Sequence, residues 1–152
     1  FTLSLINNYK KHPFGMEILN IIIPVLESSK FILLKELNIE LIKKITNYLG
    51  IKVNFSSDKN LESNSKKSMR LIEICKLYNV SEYYSPLGSK DYIEEENLFS
   101  KFDIKVKYQN PQLVPYNQYN SGEFIPYLSV VDLISNLGKT ESLKYIKKNF
   151  KN

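Results

Sequence analysis

Val80-Ser81-Glu82-Tyr83-Tyr84-Ser85-Pro86-Leu87-Gly88-Ser89-Lys90-Asp91-Tyr92 is the stretch on which the fold turns. Val80 to Ser85 reads as a short strand with aromatic β-formers at Tyr83 and Tyr84. Pro86 to Ser89 supplies the turn, and Asp91 to Ser100 a short helix. Downstream, Ile104, Val106 and Tyr108 alternate with Lys105 and Lys107, which is a second strand signature. Upstream, Ile51, Val53 and Phe55 alternate with Lys52 and Asn54 and predict another. Helical spacing separates these segments, through Leu71, Ile74, Cys75 and Tyr78 within Lys66 to Tyr78. Strands divided by helices, with no tight hairpin between them, predict a parallel sheet joined by crossovers. The fold class expected is therefore α/β: a small, three-stranded parallel sheet flanked by helices in Rossmann-like layers. So thin a sheet suggests that further strands complete it.

The outer segments read as helical. Leu3, Leu5, Ile6 and Tyr9 begin an amphipathic pattern that stops at His12-Pro13. Met16 to Ser28 predicts a helix bent or divided at Pro24. Phe31 to Leu49 is the clearest helix, with Gly50 as its stop. Ser56 to Ser65 reads as a loop. Asn110 to Glu123 reads as a long loop, weighted with Pro111, Pro115, Tyr116 and Tyr119. Ser129-Val130-Val131-Asp132 has capping-box spacing and opens a helix expected to end at Gly138. Thr140 caps a last helix carrying Leu143, Tyr145, Ile146 and Phe150.

The chain has 152 residues, which predicts one domain with a real core. Its longest apolar run, around Ile21, Ile22 and Ile23, is broken by Pro24 and falls far short of the ~20 residues of a membrane span. Phe1 to Ser4 shows no secretory signal. Net charge is +5, but 20 of the 21 cations are Lys and Arg70 is the single arginine. With 16 Asn and 17 Ile, this reads as the composition of an AT-rich genome rather than a phosphate-reading surface, so no nucleic-acid partner is expected. Cys75 is the sole cysteine and His12 the sole histidine. They exclude a disulfide within the chain, a zinc cluster and a Ser-His-Asp triad near Ser129. Cys75 sits on an apolar stripe and reads as a buried thiol, and His12 as a surface residue.

Candidate site residues follow from position. Ligands of open α/β sheets sit beyond the carboxyl ends of strands. Ser85, Gly88, Ser89, Lys90 and Tyr92 occupy that place, where Gly88 permits close backbone approach and Ser85, Ser89 and Lys90 could hold phosphates. Lys90 and Asp91 are the candidate acid-base pair. Asp91 as a simple helix cap is the competing reading. Asn54, Ser56 and Ser57 end the first predicted strand, and Tyr108 and Gln109 the last. Arg70 could clamp a carboxylate or phosphate, or pair with Glu62 or Glu73. Tyr116, Gln118 and Phe124 could wall a sugar, or their rings could pin the long loop to the core. Ser129 and Asp132 are explained by the capping box.

A series of segments resembles the WbqC-like family, which is associated with O-antigen and other surface-glycan biosynthesis in bacteria. They are Tyr9-Lys10-Lys11-His12-Pro13-Phe14, Leu37-Asn38 with Leu41-Ile42, Tyr48-Leu49-Gly50-Ile51-Lys52 and Arg70-Leu71-Ile72-Glu73-Ile74-Cys75. Tyr84 to Tyr92, Ile104-Lys105-Val106 with Tyr108-Gln109, and Phe124 to Leu133 complete the set. The resemblance covers about Leu5 to Gly138. A Gln-Pro and Tyr-x-Pro signature that family members carry at their N-terminal end is not found, so the sheet is expected to be incomplete on that side. A histidine that they often carry after the third strand is also not found. The resemblance implies a cytoplasmic protein of glycan assembly and assigns no cofactor. It fits transfer of an acyl or aminoacyl group to a nucleotide-linked amino-sugar, from an acyl or carrier-protein donor. A non-catalytic binding or scaffold module of a glycan-assembly complex is the alternative.

Overall fold

The computed structural model describes residues 1–58 and 61–149. Lys59 and Asn60, in the predicted 56–65 loop, and Phe150, in the last predicted helix, lie outside the described residues. The elements run α1 (Thr2–Tyr9), α2 (Gly15–Leu26), α3 (Leu34–Leu49), α4 (Lys67–Leu77), β1 (Glu82–Pro86), α5 (Lys90–Glu96), β2 (Lys105–Gln109) and α6 (Val130–Asn149). One-turn 3-10 helices at Leu87–Ser89 and Phe99–Phe102 flank α5. The architecture is α/β, as expected, and the chain divides into two compact units.

The first unit comprises Phe1–Val53 and Leu113–Asn149 and is helical. Helix α2 buries Ile18, Leu19, Ile22 and Val25, whose spacing of one, three and four residues sets them on one stripe. Ile18, Ile22, Leu49 and Ile134 form the centre of the core, with Leu41, Ile45 and Val130 packed on it. Each such side chain contributes about 1.5–3 kcal/mol by leaving water. Pro24 is accommodated inside α2, whose hydrogen-bonded run continues to Leu26. The turn before α2 needs glycine at residue 15, because a Cβ there would lie 1.8 Å from the Tyr9 carbonyl oxygen. Gly50 ends α3 at φ 73°, in the left-handed region, as its place in the sequence predicts. Tyr48 donates to Glu17 Oε2 at 2.6 Å. Burial, with that bond adding to it, pushes the Tyr48 hydroxyl up to about 12. Gly138 breaks α6 at φ 69°, and the Phe14 ring lies against it so closely that a Cβ would meet ring carbons at 2.9 Å.

The second unit, within Asn54–Gln112, holds the sheet. Strands β1 and β2 pair in parallel, with Ser85 opposite Tyr108 and Pro86 opposite Gln109. Ile72, Cys75, Ile93, Phe99 and Ile104 form its core, and Tyr83 stacks on Phe99 at 5.4 Å. Cys75 is buried, as expected, and burial pushes its thiol up.

One predicted strand is absent. Ile51 to Phe55 forms no ladder, and Val53 and Phe55 stay 46% and 43% exposed. Alternation of apolar and polar residues makes a strand only where a neighbouring strand takes up its hydrogen bonds. Among the described residues the parallel sheet therefore has two strands, not three.

Candidate functional site

The turn after β1 is placed as the sequence predicts, at the shared carboxyl ends of two parallel strands. Ser85 is fully buried and its Oγ lacks a hydrogen bond. Tyr108 and Gln109 end the neighbouring strand beside it. Other features fit a site less well. Helix α5 has only seven residues, too few for a substantial dipole, and Ser89 makes no side-chain cap bond. Gly88 has no positive φ, and open space surrounds the position where a Cβ would stand, so nothing there requires glycine. Lys90 Nζ lies 3.7 Å from Glu94 Oε1, one turn along the same helix, and 5.8 Å from the Tyr108 ring centroid. Asp91 is exposed, and Tyr92 is half-buried beside the unit's core.

Arg70 is tied into its own unit. Its Nη2 pairs with Asp58 at 2.8 Å, and Nη1 donates to the carbonyls of Ser63 at 3.3 Å and Leu61 at 3.5 Å. The partner is Asp58 rather than the expected Glu62 or Glu73. Arg70 thus fastens Asp58, Leu61 and Ser63 to α4. Asn54 and Ser56 are exposed and, without the first strand, are not strand-end residues. The positional reason for selecting them falls with that strand.

The loop before α6 is built differently. Tyr116 donates its hydroxyl to Asp132 Oδ2 at 2.7 Å, and Gln118 Nε2 donates to the same oxygen at 3.1 Å. Gln118 also binds both sides of the Ile125 peptide, accepting from its N–H at 2.7 Å and donating to its carbonyl at 3.0 Å. Asn136, one turn beyond Asp132, accepts the Tyr119 N–H at 2.6 Å and donates to the Asp132 carbonyl at 2.8 Å. Asp132 is 4% exposed and Asn136 8%. Phe124 and Tyr145 pack edge-on against Tyr116, at 5.2 and 5.4 Å. Burial, and then the Asp132 bond, raises the Tyr116 hydroxyl well above its ordinary value. The capping-box reading of Asp132 is thereby corrected. Ser129 caps the helix by accepting the Val131 N–H at 3.2 Å, but the Asp132 carboxylate turns to the loop. A carboxylate with two side-chain donors gains more there than at a helix end already capped by Ser129.

His12 is also corrected. It is half-buried rather than on the surface, with its ring 5.0 Å from those of both Tyr9 and Tyr119 and its Nδ1 sealed without a partner. The Asp132 charge contributes to raising the Tyr9 hydroxyl, after burial.

Pro115 to Gln118 and Ser121 to Phe124 line an open cleft of about 270 Å³. It contains Tyr116, Gln118 and Phe124, the predicted wall, and adds Asn117 and Glu123, which the sequence reading did not single out. Asp132, assigned in the sequence to the capping box, and Asn136, not singled out there, had a signal. They are polar residues at helical spacing inside a run that is otherwise apolar or small. Among the described residues no group of three or more His, Cys, Asp and Glu side chains could hold a metal ion. No helix among them is long and apolar enough to cross a membrane.

Fold and site together describe an α/β protein with a braced, polar and aromatic loop cleft. The chain belongs to the WbqC-like protein family, whose sequence profile matches residues 2–144. It is similar to the uncharacterized protein Rv1507c of Mycobacterium tuberculosis (strain ATCC 25618 / H37Rv), with 28% identity over 142 residues. That match covers 92% of this chain and 60% of the relative, so the chain spans about three-fifths of the relative's length. No solved structure matches it.

Proposed function

We propose that this chain serves bacterial surface-polysaccharide assembly, O-antigen and lipopolysaccharide included, as a cytoplasmic transferase acting on a nucleotide-linked amino-sugar. The observation that carries this reading is the loop cleft, in which two aromatic rings stand beside carboxamide and carboxylate side chains. Sugars offer an apolar ring face and a rim of hydrogen-bonding groups, and such a lining answers both. The reaction is acyl or aminoacyl transfer. The sugar amine attacks the donor carbonyl, a C–N bond forms, the bond to the donor's leaving group breaks and the amine gives up a proton. The donor is an acyl thioester or a loaded carrier protein. The turn carrying Ser85, Ser89, Lys90 and Asp91 is the second candidate position for substrate. There Lys90 and Asp91 would be the groups available for proton transfer.

A panel of nucleotide-linked amino-sugars, neutral nucleotide-sugars and acyl-CoAs tests the reading by thermal stabilisation. A ligand at 100 times its Kd adds about 2.7 kcal/mol, a shift of several degrees. Stabilisation by amino-sugar nucleotides that Asn117→Ala abolishes supports the cleft, and loss on Lys90→Ala instead moves the site to the turn. A binding or scaffold module is the competing reading, favoured by large exposed side chains at Ile32, Leu34 and Tyr127, 92%, 71% and 85% exposed. Absence of any shift across the panel would decide for it.

A further inference from the structure

The loop cleft has a charge opposite to that of the chain around it. Lys and Arg outnumber Asp and Glu by 21 to 16, yet no Lys, Arg or His lines the cleft. Glu123 is the one acidic side chain among its lining residues. Behind the wall made by Tyr116 and Gln118 lies Asp132. Both donors converge on its Oδ2, while Oδ1 accepts no hydrogen bond and is not sealed from solvent. No Lys or Arg among the described residues forms an ion pair with it. Neutral donors orient a buried carboxylate but do not cancel its field, and the surrounding low dielectric lengthens its reach.

The free polar groups point the same way. The Tyr116 hydroxyl and the Gln118 carboxamide are engaged within the loop, and Ser121 Oγ donates to the Glu123 backbone carbonyl. The side chains of Asn117 and Glu123 make no hydrogen bond or ion pair with any described residue. What the cleft offers a ligand is one carboxylate and one carboxamide, beside a second, buried negative charge.

We infer that the cleft binds the free, protonated amino group of an amino-sugar through Glu123 and Asn117, and discriminates against the same sugar once its amine is acylated. The inference rests on the reading of the cleft as a sugar site. The ammonium must first give up a proton to free its lone pair for attack, and acylation then leaves a neutral amide, so the cleft holds the substrate and releases the product. Phosphate groups are repelled from the cleft itself, so the diphosphate of a nucleotide-linked sugar would lie outside it.

Amide shifts of residues 116–124, followed by NMR below neutral pH and at low salt, test this with D-glucosamine, N-acetyl-D-glucosamine, D-glucose and glucose 6-phosphate. Glucosamine is expected to bind about five- to tenfold more tightly than either neutral sugar. Glucose 6-phosphate is expected to be weakest. Glu123→Gln should bring glucosamine down to the neutral sugars while leaving the thermal midpoint in place. Asn117→Ala should weaken every sugar that binds. Equal affinity for glucosamine and N-acetylglucosamine, or unchanged glucosamine affinity in Glu123→Gln, overturns the amine selectivity and leaves the sugar reading standing. No shifts with any of the four removes the sugar reading, and the inference with it.

Discussion

The Ser85–Tyr92 turn and the Pro115–Phe124 loop differ in where their polar groups are committed. At the turn, charge is spent locally: Lys90 meets Glu94 on the same short helix, and Asp91 faces solvent. In the loop, side chains 14 and 16 residues upstream converge on one carboxylate that is 4% exposed. A Gly-, Ser- and Lys-containing turn at a strand end looks like a ligand site in sequence because its composition suits one. A buried acid served only by neutral side chains stands out in structure, because its burial has to be offset by the hydrogen bonds it accepts. The matched pair Asp132→Ala and Asp91→Ala breaks or confirms this contrast. Asp132→Ala removes a buried acceptor of two side-chain bonds and is expected to cost about 2–3 kcal/mol in urea unfolding. Asp91→Ala is expected to stay within about 0.5 kcal/mol. Equal losses would erase the distinction.

Tyr116→Phe sharpens it by removing one bond and keeping the ring. A loss of about 1.5 kcal/mol near neutral pH is expected, the lower end for a bond to a charged group. Its pH dependence is the more specific sign. Tyr116 keeps its proton in the folded chain at a pH where an unfolded tyrosine gives its own up, from about pH 10. The unfolded state then binds fewer protons than the native one, so stability falls as pH rises above that point. Tyr48 adds a similar loss between about pH 10 and its folded value of about 12. Tyr116→Phe should flatten the alkaline limb of the thermal midpoint, and Tyr48→Phe should flatten it further. An unaltered alkaline limb in Tyr116→Phe would mean that neither burial nor the Asp132 bond raises its hydroxyl.

Much of the fold was legible because it is local. The stripe of α2, the stop at Gly50, the break of α6 at Gly138 and the two paired strands all follow from spacing and from residues that few others could replace. The supposed strand at Ile51 to Phe55 had the same local signal, but a strand is a relation between two segments, and the partner was not in the pattern. The site was half legible for the same reason. Tyr116, Gln118 and Phe124 stood out as rings and an amide in a long loop. Asp132 did not, since Ser129 three residues before it offered a complete local explanation. His12 looked exposed beside two lysines and a proline, and only the fold brings the Tyr119 ring against it.

Arg70→Lys probes the second unit with a smaller effect. Lysine keeps the charge facing Asp58 but cannot span two carbonyls and a carboxylate at once. About 1 kcal/mol of stability should be lost, with faster amide exchange confined to Asp58 and to Leu61 through Ser63. Were Arg70 a ligand clamp instead, the exchange would be unchanged and only ligand affinity would fall.

Lys90→Ala carries the smallest expected effect and the most direct bearing on the turn. Its ion pair with Glu94 is solvent-exposed and spaced i,i+4, a geometry that contributes about 0.3–0.5 kcal/mol at most. Stability should therefore hardly move. Because the fold does not depend on Lys90, any change in affinity for a nucleotide-sugar on its removal reports on the ligand alone. An unchanged affinity leaves the turn as a connection between β1 and α5 and the loop cleft as the sugar site. A tenfold loss, about 1.4 kcal/mol, would restore the turn to the phosphate-binding part that its sequence suggested.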